Sequence, residues 1–233
     1  MYIRTSRFKK RSFRYFRRVE RTIVNLKIIG LKKTFYNQIV LDSINLEIRP
    51  GKTVGLIGPN GSGKTTLLKC ISGISSIDSG LIKIGPETIL PSNENSRKST
   101  YFIGHENGMY SSLTAYENLK FIASIYNVKS NINSIIENAG LSDAANKIID
   151  FFSQGMMQRL KLASCALISP SVLLLDEPLT GLDQDSRKYF INLLKLWKRE
   201  EKTIVMSSHD INFLKKYTNY SLRLDKGEIN RSD

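Results

Sequence analysis

The chain has 233 residues, 41% hydrophobic and 24% charged, the balance of a folded domain rather than a disordered one. No run of about 18 apolar residues occurs, which excludes a helix that spans a bilayer unaided; the most apolar stretch, 162–175, is broken by Ser164, Ser169, Pro170 and Ser171. Two cysteines, Cys70 and Cys165, lie far apart without metal-ligand spacing, which argues against a disulfide framework and for two buried thiols in a reducing compartment.

The net charge of +14 is uneven. Nine basic residues against Glu20 alone give the first 21 positions a net +8. Basicity therefore belongs mainly to a basic N-terminal extension, residues 1–22, and says little about the ligand of the domain. If helical, the extension lines Phe8, Ser12, Tyr15, Phe16, Val19 and Ile23 along one side. Three readings stay open for it. It is a solvated extension or upstream start, a segment lying on an anionic membrane surface, or an Arg-rich mitochondrial-type presequence.

The domain itself is expected over residues 23–233. Residues 22–29 and 40–48 read as strands, the second carrying Leu41, Ile44, Leu46 and Ile48. Pro50-Gly51 turns the chain into 53–57, a short apolar run of the buried parallel type. A glycine-rich loop and a helix over 64–72 follow, then a strand over 81–84 and a polar loop over 91–99. Periodicity gives helices over 115–126, 132–139 and 155–167, so residues 106–167 form a mostly helical lobe. Buried strands at 172–175 and 203–207 flank a helix over 184–199. Residues 220–224 and 228–229 close a hairpin around Lys226-Gly227. A strand-rich start, a helical insertion and a βαβ finish make one α/β domain.

Gly58-Pro59-Asn60-Gly61-Ser62-Gly63-Lys64-Thr65 fits GxxxxGK[ST] between a predicted strand and a predicted helix. Glycines let the backbone approach phosphate oxygens with its N–H groups, and the helix start adds partial positive charge. Lys64 suits the β- and γ-phosphates, and Thr65 offers a hydroxyl to Mg2+. The following Thr66 completes the expected nucleotide-binding set. Asp176 and Glu177 end an apolar strand whose alternation aims them differently. That suits Asp176 to the metal shell and Glu177 to a general base for the attacking water. Ser153 reads as a helix N-cap with Gly155 in the first turn, an anion site at a helix start. His209, just past a buried strand, is placed for a γ-phosphate contact.

Together these strings resemble the ATP-binding-cassette (ABC) ATPase family over about residues 23–229. Phe152–Arg159 is similar to the signature that separates this family from other phosphate-loop proteins. The resemblance implies a P-loop NTPase of ABC type: a mixed sheet core, an N-terminal antiparallel β subdomain and an inserted α-helical subdomain. It implies ATP and Mg2+ as cofactors, and a head-to-tail homodimer in which Ser153 and Gly155 bind the γ-phosphate held by the opposite Lys64. Asp183 matches the loop that crosses that interface, His209 the switch histidine, and Phe35 the aromatic that stacks on adenine, with Tyr36 as a neighbour able to serve. Transmembrane permease subunits, as separate chains, are the implied partners. The domain is then a peripheral membrane protein on the ATP-containing face, at a bacterial inner membrane or on a mitochondrial matrix side.

The sequence departs from the family at Phe152, Gln154 and Met156 of the signature. His105 stands where the family places a glutamine that senses Mg2+ and couples to the membrane subunit. A histidine there brings pH sensitivity between about pH 5 and 8. The expected consequence is that His105→Gln flattens the pH–ATPase profile; an unchanged profile would discard the idea. Gly104-His105 with the string Leu113 to Leu119 looks most like the haem-exporter (CcmA-type) branch of cytochrome c maturation. Another ABC exporter, or a soluble single-cassette ATPase of the iron–sulfur assembly type, is the alternative. The charge also raises a nucleic-acid module, but the domain carries no recognised motif for one, so no specific nucleic acid is expected. Retained, salt-dependent filter binding after deletion of residues 1–22 would revive it.

Overall fold

The structure is a computed structural model and describes residues 24–104, 106 and 108–232. The basic extension, Ile23 and His105 lie outside the described residues.

The described residues open with a hairpin of β1 (Leu26–Phe35) and β2 (Gln38–Ile48). Tyr36 and Asn37 turn it with φ of 48° and 64°, the two positive values that a tight hairpin turn needs. β4 (Ser79–Ile84) and the short β5 (Glu87–Thr88) extend this antiparallel sheet in the order β2-β1-β4-β5. The first strand runs to Phe35 rather than stopping at 29. A register shift between Ile28 and Leu31 interrupts the alternation there without ending the pairing.

The second sheet has the order β10-β9-β3-β8-β7-β6. Its strands are β3 (Thr53–Ile57), β6 (Thr100–Ile103), β7 (Val172–Asp176), β8 (Thr203–Ser207), β9 (Tyr220–Asp225) and β10 (Glu228–Ser232). All pairs are parallel except β9 with β10. β7 and β8 are buried at every position, the reason they read as continuous apolar runs rather than alternating ones.

Seven α-helices are described: α1 (Lys64–Ile71), α2 (Glu94–Arg97), α3 (Ala115–Ile125), α4 (Ile132–Asn138), α5 (Gln154–Ile168), α6 (Gln184–Arg199) and α7 (Ile211–Tyr217). α6 shows the usual logic of such helices. Asp183 caps its start, and Phe190, Leu193, Leu194 and Trp197 bury one face at helical spacing. Each such side chain, removed from water, contributes about 1.5–3 kcal/mol. α3 starts with a reciprocal capping box between Thr114 and Glu117. The expected polar loop at 91–99 contains the short α2, begun by the Asn93 side chain accepting from Asn95 and Ser96 N–H groups. β6 and α7 arise where the sequence pattern indicates no element.

Three apolar clusters hold these layers. One lies between the small sheet, α1 and the large sheet. A second packs α5, α6 and α7 on the large sheet. A third is the interior of the helical lobe. α5 serves two of them: Leu162, Cys165 and Ala166 face the sheet, whereas Leu160, Ala163 and Leu167 face the lobe.

Candidate functional site

The carboxyl ends of the parallel strands converge at one edge of the large sheet, where α/β folds place their ligands. Leu56 of β3 and Asp176 of β7 both pair in register with Ser207 of β8. The loop from Gly58 leaves β3 at this edge. Gly58 has φ of 154°, and a Cβ there would run into the Leu224 carbonyl, so only glycine lets the chain turn so close to β9. Gly63 begins α1 with φ of 99°, and a Cβ there would meet Val40 and Leu41 at 3.1 Å. The loop is thus wedged between both sheets. A Cβ at Gly61 meets nothing within 4 Å, so the loop is open on that side.

Lys64 is 8% exposed, and its ammonium donates to the carbonyls of Gly58 and Pro59 at 2.8 and 2.9 Å. It therefore closes over its own loop, at the mouth where phosphate oxygens would replace those carbonyls. The first N–H groups of α1, which starts at the end of this loop, have no intrahelical acceptor. The Ser62 hydroxyl is buried without a hydrogen-bond partner. An orphaned hydroxyl, free helix-start N–H groups and a lysine cap fit a polyphosphate.

The Thr65 hydroxyl donates to Asp176 Oδ2 at 2.7 Å, and the Ser207 hydroxyl donates to Asp176 Oδ1 at 2.7 Å. The same Ser207 oxygen accepts the Glu177 N–H at 2.9 Å. Ser207 thus fixes both acids, a role its place in an apolar strand does not announce. Register with Asp176 is the signal that reveals it. A threonine hydroxyl beside a carboxylate is a hard-oxygen pair suited to Mg2+.

Glu177 leaves the strand with φ of 49°, the left-handed region that non-glycine residues seldom occupy. One carboxylate oxygen, Oε2, accepts the His209 N–H at 3.3 Å. The other, Oε1, is buried without a hydrogen bond, 3.5 Å from His209 Nε2. A carboxylate oxygen held this way can accept a proton from a water placed against it.

Phe35 sits at the tip of the hairpin whose β2 arm touches Gly63, 44% exposed, with Lys33 Nζ 5.0 Å from its ring centre. Tyr36 beside it is fully exposed. Ser153 caps α5 by accepting the Met156 N–H at 3.3 Å. Gly155 packs against Asp183, 3.2 Å from its Oδ2 to the position of a Cβ. Asp183 caps α6 by accepting the Ser186 N–H at 2.7 Å, the bond that most holds its carboxyl below the usual aspartate range. Gln154, in place of a signature glycine, lays its amide against Gly181.

The structure thus gathers the phosphate loop, Asp176, Glu177 and His209 at one point, and Ser153, Gly155 and Asp183 at another. Among the described residues no hydrogen bond joins Ser153 to Lys64 or Thr65. Both cysteines are free and buried, and burial pushes the Cys70 thiol up to about 11 and that of Cys165 upward as well, so neither is reactive.

The fold and the site define a P-loop nucleotide hydrolase with an inserted helical lobe. Residues 41–180 match the family described as "ABC transporter". The lantibiotic transport ATP-binding protein SrtF of Streptococcus pyogenes is 34% identical over 208 residues, 88% of each chain. The ABC transporter ATP-binding protein NatA of Bacillus subtilis is 32% identical over 80% of this chain and 78% of its own. The bacitracin transport ATP-binding protein BcrA of Bacillus licheniformis is 32% identical over 88% of this chain and 68% of its own. A solved ATP-binding subunit of an ABC transporter superposes with a TM-score of 0.83 at 24% identity, covering 91% of this chain and 90% of that one. A dimeric cassette in a post-hydrolysis state with ADP and Pi superposes with a TM-score of 0.80 at 25% identity, covering 89% and 97%. The chain belongs to the ABC transporter family, as an ATP-binding, ATP-hydrolysing subunit.

Proposed function

We propose that this chain powers an ABC exporter, two copies closing head to tail on ATP and reopening after hydrolysis. The observation that carries the reading is the run Thr65–Asp176–Ser207–Glu177, which joins a phosphate-loop hydroxyl to both strand-end acids through hydrogen bonds of 2.7–2.9 Å. Residues 23–233 act as one ATP-binding domain, with the helical subdomain over about 106–167.

In this reading the loop from Gly58 to Thr66 wraps the phosphates, and Phe35 stacks on adenine. Mg2+, when bound, is held by Thr65 and Asp176 and neutralises phosphate charge. Glu177 takes a proton from a water whose oxygen bonds to the γ-phosphorus. The bond from that phosphorus to the bridging oxygen breaks, and ADP and inorganic phosphate leave. Lys64 and His209 stabilise charge on the transferred group. Ser153 and Gly155 of the opposite copy complete the site, and Asp183 stands at the same interface. Two separate clusters on one chain support such a composite arrangement, as does the solved dimer that the chain resembles.

Two of these relatives, SrtF and BcrA, are named for lantibiotic and bacitracin transport, and this favours the other-exporter alternative over the haem-exporter branch. The same names give no support to the iron–sulfur assembly reading. Among the described residues no helix is long and apolar enough to cross a membrane. The partners in this reading are transmembrane permease subunits, as separate chains. The domain then docks on the ATP-containing face, and its bacterial relatives favour a bacterial membrane over a mitochondrial one. Capture of the Glu177→Gln chain from detergent-solubilised native membranes, with mass spectrometry of its partners, tests the reading. A membrane pair tied to peptide or antibiotic resistance supports it. Haem-handling partners would restore the haem branch, and only soluble partners would remove the transporter claim.

A further inference from the structure

Two cavities flank the seam between the large sheet and the helical lobe. One, of about 320 Å³, is walled by Asp176, Glu177, Thr180, Gln154 and Gln158. The other, of about 430 Å³, opens beside Lys69, Arg97 and Glu106. Gly104 and Lys161 line both. The wall they share is a hydrogen bond: Lys161 Nζ donates to the Gly104 carbonyl at 2.9 Å.

The two residues belong to different bodies. Lys161 lies on α5, the helix that Ser153 caps, between Leu160 and Leu162, which face the lobe and the sheet respectively. Gly104 follows Ile103, the end of β6, which pairs in register with Leu175 just before Asp176. The bond therefore links the signature helix to the sheet edge that carries both acids. Lys161 is only 6% exposed, and burial pulls its pKa below the usual lysine range, with Glu106 opposing that shift. A desolvated ammonium is unfavourable unless its hydrogen bonds recover the loss. An aliphatic side chain would fill the seam without that penalty, so packing alone does not account for the charge.

We propose that Lys161 is a positioning residue for ATP hydrolysis: by holding the Gly104 carbonyl it fixes the Ser153 end of α5 relative to the Asp176–Glu177 edge. The inference rests on the function proposed above, and its test separates the two. In the full chain, wild type must hydrolyse ATP with Mg2+ and Glu177→Gln must not; failure there removes the proposed function itself.

Lys161→Met keeps the aliphatic stem and deletes the charge. The expected result is a fall of about tenfold in kcat, while Kd for a fluorescent ATP analogue changes by less than about twofold. Lys161→Arg keeps a charged donor, the two cavities leave it room, and it restores at least about half of the lost rate. A Met variant with wild-type kcat overturns the proposal. A rate loss that Arg does not rescue, or one matched by an equal loss of nucleotide affinity, also overturns it, because a merely structural lysine gives that pattern. If the Met variant does not fold, Lys161→Gln replaces it under the same two criteria.

Discussion

Thr65 donates its hydroxyl hydrogen to Asp176 across 2.7 Å, although 111 positions separate them. The bond brings a helix-start hydroxyl and a strand-end carboxylate to one point, as a small cation with oxygen ligands requires. Asp176→Asn keeps the shape and removes the charge. The Mg2+ concentration for half-maximal ATPase should rise by about 10–100-fold, read from a Mg2+ titration at fixed ATP. An unchanged midpoint would remove Asp176 from the metal shell.

Ser207→Ala leaves the Glu177 N–H and Asp176 Oδ1 each short of a bond they make in the buried edge. Stability should fall by about 1–3 kcal/mol in denaturant melts of the nucleotide-free chain. ATPase should fall with it, since both acids lose their anchor. Wild-type stability would mean that water fills the gap.

Glu177→Gln keeps the side-chain shape and removes the carboxylate proposed as the base. Hydrolysis should drop by about 10²–10⁴-fold. The variant should also elute as a dimer in ATP and as a monomer without it. A variant that stays monomeric at saturating ATP would count against the head-to-tail pair.

Asp183 caps α6 with a carboxylate held below the ordinary aspartate value of 3.8. The folded chain therefore binds this proton less readily than the unfolded one. Its contribution is present above 3.8 and is lost as pH falls through the lower folded value. Asp183→Ala should lower the melting temperature by about 2–4 °C at neutral pH. The gap should close in acid, whereas Asp183→Asn, itself a good cap, keeps most of the stability. A gap that persists unchanged below the folded value would point to packing rather than capping.

Much of this was legible because the signals are local. The phosphate loop, the strand into Asp176 and the Ser153 cap each lie within a few consecutive residues, so spacing alone reveals them. The α6 bounds, Gln184–Arg199, follow from one cap and one apolar stripe. What escaped depends on neighbours distant in sequence. β6 is only Thr100–Ile103, and pairing with β7 rather than its own pattern makes it a strand. α7 is a single short run that Asp210 caps and the sheet buries through Phe213 and Leu214. Ser207 looks like the polar end of a strand until register sets it beside Asp176. Lys161 looks like a solvent-facing helix position until the sheet edge at Gly104 meets it.

The dual allegiance of α5 reaches beyond catalysis. Because Leu162 and Cys165 belong to one cluster while Leu160 and Leu167 belong to another, the lobe cannot melt and leave the sheet intact. Amide hydrogens of α3 and α5 should therefore exchange through one shared opening event with those of β7, and heating should give a single calorimetric peak. A proteolytic cut in the lobe would then unravel the nucleotide edge as well, which makes the inserted helices a poor place to truncate the chain.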